Sequence, residues 1–232
     1  MTTDDDIVVR LEKVSRVYRH GGIEVHALDQ VDLEIRRGEF AALVGPSGSG
    51  KTTLLNIIGG LDRPTSGRVW IGDVELTGLS AAKLADVRLR RIGFVFQEYN
   101  LIPVLSALEN VEYVMLLQGV PQDERQRRAL ALLRDLGLEG MEHRRPAELS
   151  GGQQQRVAVA RAIVSEPLIV LPDEPTANLD SAAGGALLDL MRTLNERKGI
   201  TFVFSTHDPM VMQRARRIIR MRDGRIVAQE TP

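Results

Sequence analysis

The order of hydrophobic and polar positions along this chain predicts strands near both ends and helices in its middle third. Residues 7–14 and 31–44 alternate or run apolar as strands do, and Arg37-Gly38 suits a hairpin turn between two of them. The other predicted strands are the short stretches at residues 68–76, 92–96, 168–172 and 200–205. The last two are uninterrupted apolar runs, which are typical of buried parallel strands.

Helical spacing dominates the segment from residue 97 to about residue 165. Its apolar residues Ala129, Leu130, Leu132, Leu133 and Leu136 fall at helical spacing, and Gly137 stands where a helix would end. A second helical pattern covers residues 187–194 and ends near Gly199. The chain closes with a predicted hairpin turned by Asp223-Gly224. The middle third is therefore interpreted as a helical insertion in an α/β protein.

Composition and charge exclude several classes of site. Thirty basic residues against thirty-one acidic ones leave a net charge of −1, so no nucleic-acid partner is expected. The chain has no cysteine, which excludes disulfides, thiolate metal sites and cysteine nucleophiles. No apolar run approaches the roughly 18 residues that cross a bilayer, and the acidic start MTTDDD differs from a secretory signal. We therefore expect any membrane role to depend on a partner.

Residues 45–52, GPSGSGKT, fit the phosphate-binding pattern GxxxxGK[ST]. A predicted strand precedes them and a predicted helix follows, which is the setting that this loop requires. Backbone N–H groups in the loop can point at phosphate oxygens, and the helix N-terminus adds its positive end. Lys51 can reach the β and γ phosphates, and the Thr52 hydroxyl can ligate Mg²⁺. The setting argues against a chance glycine-rich turn.

Two carboxylates follow the apolar stretch at residues 168–172. Asp173 and Glu174 would stand at the carboxyl edge of a parallel sheet, where an acid can reach bound phosphates. Asp173 would hold Mg²⁺ directly or through water, and Glu174 would polarise the attacking water. An acidic pair after an apolar run is by itself often a solvated strand end. The phosphate loop upstream favours the functional interpretation.

A second glycine-rich stretch, LSGGQ at residues 149–153, opens another predicted helix. One γ-phosphate cannot lie at the N-termini of two helices of one chain unless the insertion folds over the phosphate loop. Two chains placed head to tail give a simpler solution, in which each offers Ser150, Gly151 and Gly152 to the nucleotide held by the other. The alternative is that LSGGQ is only a helix N-cap with flexible glycines.

The order and spacing of five segments resemble the ATP-binding-cassette (ABC) ATPases. The segments are GPSGSGKTT, FVFQ, LSGGQ, LPDEPTANLD and STHD, and the resemblance extends over essentially the whole chain. It implies an α/β fold with a P-loop NTPase (RecA-like) core, an antiparallel β subdomain and an inserted α-helical subdomain. A single domain would cover residues 1–232. The core and β subdomain would occupy 1–96 and 166–232, and the helical signature subdomain 97–165.

The resemblance also implies ATP hydrolysis with Mg²⁺ and assigns roles to individual residues. ATP would be bound by Tyr18, Gly45, Pro46, Ser47, Gly48, Ser49, Gly50, Lys51, Thr52 and Thr53, with the Tyr18 ring stacked on adenine. The catalytic residues would be Glu174, His207, Gln97 and Lys51, and the metal ligands Thr52, Gln97 and Asp173. The ATP of the other chain would be contacted by Leu149, Ser150, Gly151, Gly152 and Gln153. Asp180 would couple the two sites across the dimer.

Pro172 departs from the family pattern, which usually has a small residue such as alanine before the aspartate. Proline cannot donate a backbone hydrogen bond. The departure leaves the identity of Asp173 intact but puts the placement of its carboxylate in question.

Within the family, residues 56–67 and 94–117 resemble the group of lipoprotein-releasing and macrolide-exporting ATPases. That resemblance implies a homodimer bound to integral membrane permease subunits at the cytoplasmic face of the inner (plasma) membrane. Its task would be lipoprotein release, export of hydrophobic compounds or peptides, or mechanotransmission. Residues 98–102 and the helix near Glu109 would receive the membrane partner, and residues 113–117 are expected to be mostly subdomain core.

Two other hypotheses remain open from the sequence. One is a soluble or cell-division-type ABC ATPase that couples ATP turnover to a partner outside transport. The other is a nucleotide-binding regulatory module without turnover. The presence of both Glu174 and His207 argues against the second hypothesis, because degenerate cassettes tend to lose such groups.

Overall fold

The computed structural model describes residues 6–231, which form two sheets and seven α-helices. The strands are Ile7–His20 (β1), Ile23–Arg36 (β2), Phe40–Val44 (β3), Ser66–Ile71 (β4), Val74–Glu75 (β5), Ile92–Val95 (β6), Ile169–Pro172 (β7), Phe202–Thr206 (β8), Arg217–Arg222 (β9) and Arg225–Glu230 (β10). The helices are Lys51–Ile58 (α1), Ala81–Arg91 (α2), Ala107–Leu117 (α3), Gln122–Asp135 (α4), Gly151–Ile163 (α5), Ser181–Lys198 (α6) and Pro209–Arg214 (α7).

The larger sheet has the strand order β10-β9-β3-β8-β7-β6, and all its neighbouring strands are parallel except the β9-β10 hairpin at the edge. The smaller sheet, β2-β1-β4-β5, is antiparallel. Because β3, β7 and β8 are parallel neighbours, their carboxyl ends meet at one edge of the larger sheet. The loops that follow these three strands contain the predicted phosphate loop, Asp173-Glu174 and His207.

Strand β3 separates two hydrophobic clusters. Phe40, Ala42 and Val44 pack into a cluster with the helices of the middle third and α6. The alternate residues Ala41 and Leu43 face a second cluster, which contains α1 and the inner face of the antiparallel sheet. A strand buried on both faces explains the uninterrupted apolar sequence of β3. The phosphate loop thus follows a strand that is fixed from both sides.

The prediction of a hairpin at Arg37-Gly38 was wrong. Strands β2 and β3 lie in different sheets, so this turn carries the chain from the antiparallel sheet to the parallel one. The antiparallel partner of β2 is β1, which pairs with it around Gly21-Gly22. Both glycines have positive φ, as a tight hairpin turn requires. The Gly-Gly dipeptide was the sequence signal that could have located this turn.

The predicted helix ends and the last hairpin are confirmed. Gly137, two residues beyond the end of α4, and Gly199, directly after α6, both have positive φ. Asp223 and Gly224 both have positive φ between β9 and β10, which matches the primed turn expected from that dipeptide. Residues 68–76 form two paired strands, β4 and β5, because the chain turns back at Gly72-Asp73. The helices α3, α4 and α5 fall within residues 97–165, and the limits of the subdomains stay a prediction.

The expectation that residues 113–117 are mostly core was also wrong. Met115 is fully buried, whereas Tyr113, Leu116 and Leu117 are 39%, 50% and 56% exposed. Helix α3 turns the stripe of Val111 and Met115 toward the core, and positions 113, 116 and 117 fall on its other side. The apolar surface on α3 therefore faces solvent. No helix within residues 6–231 is both long and apolar enough to cross a bilayer.

Candidate active site

The loop between β3 and α1 wraps around the buried ammonium group of Lys51. Its Nζ donates hydrogen bonds to the carbonyl oxygens of Gly45, at 2.8 Å, and Pro46, at 3.1 Å. A Cβ atom at Gly45 would lie 2.3 Å from the carbonyl oxygen of Met221, and one at Gly50 would lie 2.5 Å from that of Ala27. Close backbone contacts therefore require glycine at both positions.

The rim of this loop is open. Pro46, Ser47 and Gly48 are exposed, and a Cβ atom at Gly48 would meet no atom within 4 Å. Ser49 is buried beneath the rim, and its hydroxyl has no hydrogen-bond partner among the described residues. Thr53 is half-buried in the first turn of α1. The loop thus combines an exposed backbone rim, a buried cation and a helix N-terminus, which together suit a polyphosphate.

Thr52 and Asp173 meet beside the loop. The Thr52 hydroxyl donates to Oδ1 of Asp173 at 3.4 Å, a long hydrogen bond. Burial raises the pKa of the Asp173 carboxyl, and the adjacent Glu174 charge raises it further, while the Ser205 side chain, Thr52 and Lys51 lower it. A hydroxyl and a partly buried carboxylate thus stand together where the sequence predicted metal ligands.

Pro172 removes one hydrogen bond between β7 and β8. The amides of Val170 and Glu174 donate to β8 at Thr201 and Ser205, each at 2.9 Å. The position halfway between them is Pro172, whose missing amide would face β8 at Val203. Asp173 is instead held from the other side, since its amide donates to Val95 of β6 at 2.9 Å. Strands β7 and β8 therefore lack one backbone hydrogen bond next to Asp173, but the Asp173 backbone is still hydrogen-bonded to β6.

Glu174 and His207 are in direct contact. Nδ1 of His207 lies 2.7 Å from Oε1 of Glu174, and the Thr206 hydroxyl donates to Oε2 at 3.0 Å. Glu174 has a φ of 45°, which is costly for a residue with a side chain and persists only where the surroundings hold it. The hydrogen bond from the Glu174 amide to the carbonyl oxygen of Ser205 helps to keep Glu174 in this conformation. The structure therefore places His207 in contact with Glu174, the residue that the sequence predicts to polarise the attacking water.

Gln97 follows β6 at the start of a segment that is tied to two other parts of the chain. Its carbonyl oxygen accepts from Asn178 at 2.9 Å. The carbonyl oxygens of Tyr99 and Asn100 accept from Arg161 of α5, and burial lowers the pKa of this guanidinium. The exposed side chain of Gln97 makes no hydrogen bond to Thr52 or Asp173 in the described part of the chain. Its assignment as a metal ligand stays a prediction.

The LSGGQ segment starts α5 with a well-formed cap. The Ser150 hydroxyl accepts from the Gln153 amide, and the Gln153 side chain accepts from the Ser150 amide. Leu149 is buried, whereas Ser150 is exposed. The nearest atoms to added Cβ atoms at Gly151 and Gly152 belong to Tyr99, Asn178 and Ala183, and none belongs to residues 45–52. The two helix N-termini therefore do not touch within one chain.

Asp180 caps α6 through a hydrogen bond from the Ala183 amide, at 2.8 Å. Its side chain is exposed at the start of that helix. Gly152 approaches the same turn, because a Cβ atom there would lie 3.6 Å from Cβ of Ala183. The structure thus brings Asp180 near the N-terminus of α5. Its role in coupling two chains stays a prediction.

Tyr18 lies at the far end of β1, 37% exposed. Its hydroxyl donates to Oδ2 of Asp62 at 2.6 Å, and the Arg16 guanidinium lies 4.4 Å from the centre of its ring. A polar group and a cation thus fix a partly exposed aromatic ring.

Sequence reasoning missed several residues that connect these parts. Gln155, fully buried in α5, donates to the carbonyl oxygens of Phe96 and Pro175, at 3.3 and 2.8 Å. Thr176 donates to Asp208, which caps α7, at 2.6 Å. A polar residue on the buried stripe of a helix was the signal for Gln155. The Gln155 bonds connect α5 to the segments after β6 and β7. The Thr176 bond connects the segment after β7 to the segment around His207.

Comparison with known proteins decides the family. The model of the ABC transporter family matches residues 28–177. The chain belongs to the ABC transporter family. It is 49% identical over 95% of its length to the macrolide export ATP-binding/permease protein MacB of Sodalis glossinidius, of which it spans 34%. It is 44% identical to the lipoprotein-releasing system ATP-binding protein LolD of Chromohalobacter salexigens, over 96% of this chain and 94% of that one.

A solved ABC structure confirms the fold and the activity. The ATP-binding cassette MJ0796 of Methanocaldococcus jannaschii, in a dimeric post-hydrolysis state bound to ADP and Pi, superposes with a TM-score of 0.88. The identity is 45%, and the match covers 96% of this chain and 98% of that chain. The chain is an ABC-type ATPase that binds ATP. The predicted family, α/β fold and ATPase activity are confirmed.

We expect Lys51→Ala to weaken ATP binding by about 10- to 100-fold. The substitution removes a charge-assisted contact to phosphate, which is typically worth about 1.5–3 kcal/mol. Calorimetric titration with ATP measures the change, and Lys83→Ala, which removes an exposed lysine from α2, is the control. Unchanged ATP affinity in the Lys51 variant would count against the phosphate loop as described.

Proposed function

We propose that this chain is the nucleotide-binding subunit of a membrane transporter in which two copies close head to tail around two ATP molecules. The observation that carries the proposal is the exposed, capped N-terminus of α5, which lies apart from the phosphate loop of its own chain. A helix N-terminus with free N–H groups suits an anion. The nucleotide of a second copy is the ligand that we infer for it. The dimeric state of MJ0796 supports this arrangement.

In the proposed reaction, water attacks the γ-phosphate of ATP in line with the departing ADP. Glu174 would orient the attacking water, and Lys51 would draw negative charge from the transferred phosphoryl group. His207, whose Nδ1 lies 2.7 Å from Oε1 of Glu174, would contact the γ-phosphate. Because Ser150 of the second copy completes the site, loss of the γ-phosphate would loosen the dimer. The nucleotide state would thereby set the separation of two chains.

The site also fits Mg²⁺ as the second cofactor. Thr52 and Asp173 offer the hard oxygen ligands that this ion prefers, and a nearby cation would offset the cost of burying the Asp173 charge. No group of three or more His, Cys, Asp or Glu residues that could hold a metal occurs within residues 6–231. That matches an ion that takes its other ligands from phosphates and water. Bound Mg²⁺ would neutralise charge on the phosphates, and Gln97 would approach it from the segment after β6.

We further propose that the dimer drives separate integral membrane permease subunits from the cytoplasmic face of the inner (plasma) membrane. The task would be lipoprotein release, export of hydrophobic compounds or peptides, or mechanotransmission. The names of two relatives, a lipoprotein-releasing ATP-binding protein and a macrolide export protein, support the first two. The permease would dock on residues 98–102 and on the apolar surface of α3, formed by Tyr113, Leu116 and Leu117. Three exposed apolar side chains on one helix are a surface that a partner would cover.

Membrane fractionation tests the proposed permease contact. We expect the wild-type chain, expressed in its native host, to sediment with the membranes and Leu116→Glu to remain mostly in the supernatant. Val227→Glu is the control, because Val227 is a similarly exposed apolar residue on β10. Equal sedimentation of both variants would contradict docking through α3. If the wild-type chain itself stays in the supernatant, a partner outside transport is favoured.

A further inference from the structure

Tyr18 is held by a compact arrangement of two charged side chains. The carboxylate of Asp62 accepts the Tyr18 hydroxyl at 2.6 Å and Nε of Arg16 at 3.0 Å, while Nη2 of Arg16 lies 2.9 Å from Oδ1. The same guanidinium lies over the Tyr18 ring, 4.4 Å from its centre. The Asp62 and Arg16 side chains are only 23% and 24% exposed. Charge-assisted hydrogen bonds at such sites are stronger and more directional than exposed ion pairs.

The segment that carries Asp62 is itself fixed along β1. The Thr65 amide donates to the carbonyl oxygen of Ser15 at 2.8 Å, and the Val17 amide donates to the Thr65 hydroxyl at 3.0 Å. Asp62 also accepts from the amide of Arg63 at 2.7 Å. Strand β1 is irregular here, with register shifts on both sides of Arg16. Such bulges re-aim side chains, and they occur often beside functional sites.

Asp62 follows α1, the helix whose first residue is Lys51. The phosphate loop precedes this helix, and the support of the Tyr18 ring follows it. A single rigid element therefore fixes the position of the ring relative to the phosphate loop. A tyrosine on the exposed end of a strand would otherwise sample several rotamers, and ordering it on binding would cost free energy.

We propose that Asp62 and Arg16 are positioning residues for the purine base of the nucleotide. They hold the Tyr18 ring in the orientation in which it stacks on the base, so that base and triphosphate are recognised at a fixed separation. The proposal rests on the proposed function and on the expectation from the sequence that the Tyr18 ring stacks on adenine. In this arrangement Asp62 and Arg16 act through Tyr18, whose hydroxyl and ring they contact.

Binding measurements with two probes test this proposal. ATP carries both base and phosphates, whereas inorganic tripolyphosphate carries only the phosphates. We expect Tyr18→Ala and Asp62→Ala each to weaken ATP binding by about tenfold, the size of one base–aromatic stack. Tripolyphosphate affinity stays within about twofold of wild type in both variants. Tyr18→Phe, which loses only the hydroxyl bond to Asp62, shows a smaller loss of ATP affinity in the same direction.

The control is Glu12→Ala on the same sheet. Glu12 pairs with Arg68, whose guanidinium lies 5.1 Å from the Trp70 ring centre. The variant therefore disturbs a carboxylate, guanidinium and aromatic ring arranged like those around Tyr18, but does not involve Tyr18 itself. It is expected to bind both probes as wild type does. Normal ATP affinity of Asp62→Ala beside a weakened Tyr18→Ala overturns the positioning role and leaves base stacking intact. Normal affinity of Tyr18→Ala contradicts base stacking itself. Equal loss of both probes in Asp62→Ala also overturns the proposal, because it indicates damage to α1.

Discussion

Glu174→Gln is expected to lower ATP turnover by about 10²- to 10⁴-fold while ATP still binds. Glutamine keeps the size of the side chain and a carbonyl oxygen that Thr206 can reach, but it loses the charge that orients the attacking water. Loss of a general base typically costs this much in rate. Release of inorganic phosphate at saturating ATP measures turnover, and calorimetric titration measures ATP binding.

The matched control for this variant is Glu166→Gln. Glu166 also has a positive φ, of 54°, but its side chain is exposed and pairs with Arg128. The control separates the role of the Glu174 carboxylate from the effect of changing a glutamate in this backbone conformation. Turnover at the wild-type rate in Glu174→Gln would remove Glu174 from its proposed role. The contact with His207 would then need another explanation.

The second large effect is expected from Ser150→Asp, which should weaken the ATP-dependent dimer at least about 100-fold. Aspartate is as good a helix N-cap as serine, so α5 keeps its cap and the monomer keeps its fold. Its negative charge would meet the phosphates of the nucleotide held by the second copy, and such like-charge contacts cost several kcal/mol. ATP binding to the single chain should stay near wild type. Sedimentation at graded protein concentrations measures the dimer.

Ser80→Asp is the control for the second prediction. Ser80 is also exposed and also caps a helix, α2, by accepting from the amide of Lys83. It belongs to none of the segments assigned to the nucleotide, so this variant should dimerise normally. An ATP-dependent dimer of Ser150→Asp with wild-type affinity would mean that the N-terminus of α5 does not face a nucleotide.

The parts of the site that lie in contiguous motifs could be predicted from the sequence. The loop at residues 45–52 has a fixed pattern, and the apolar strand before it marks its place in the sheet. Asp173-Glu174 and His207 follow apolar strands in the same way, and the structure places these loops at one edge because their strands are parallel neighbours. Short-range signals were sufficient here because residues that follow parallel strands lie together at the carboxyl edge of the sheet.

Contacts between distant segments could not be predicted in this way. Tyr18 and Asp62 are 44 residues apart, and Gln97 and Asn178 are 81 residues apart. The residues around one member of each pair do not indicate which distant residue it contacts. The hairpin at Arg37-Gly38 was mispredicted for a similar reason, since a turn signal does not state whether the flanking strands share a sheet. Tertiary packing also decided that Leu116 and Leu117 face solvent.

The hydrogen bonds around α5 connect its N-terminus, proposed to contact the second copy's ATP, to residues 97–100. Gln155 holds the segments after β6 and β7, and Arg161 holds Tyr99 and Asn100. A shift of α5 toward a second nucleotide would therefore move residues 97–100, which overlap residues 98–102 of the proposed permease surface. The same helix would thus carry a contact to the second copy's ATP and a contact toward the membrane partner.

The mass of purified Glu174→Gln protein, measured by light scattering with and without ATP and Mg²⁺, tests the central claim most directly. Slow turnover in this variant keeps ATP in place for the duration of the measurement. We expect the 25.7 kDa monomer without ATP and twice that mass with ATP. A monomer at saturating ATP, in protein shown by calorimetry to bind the nucleotide, would contradict the claim that two copies of this chain share their ATP sites.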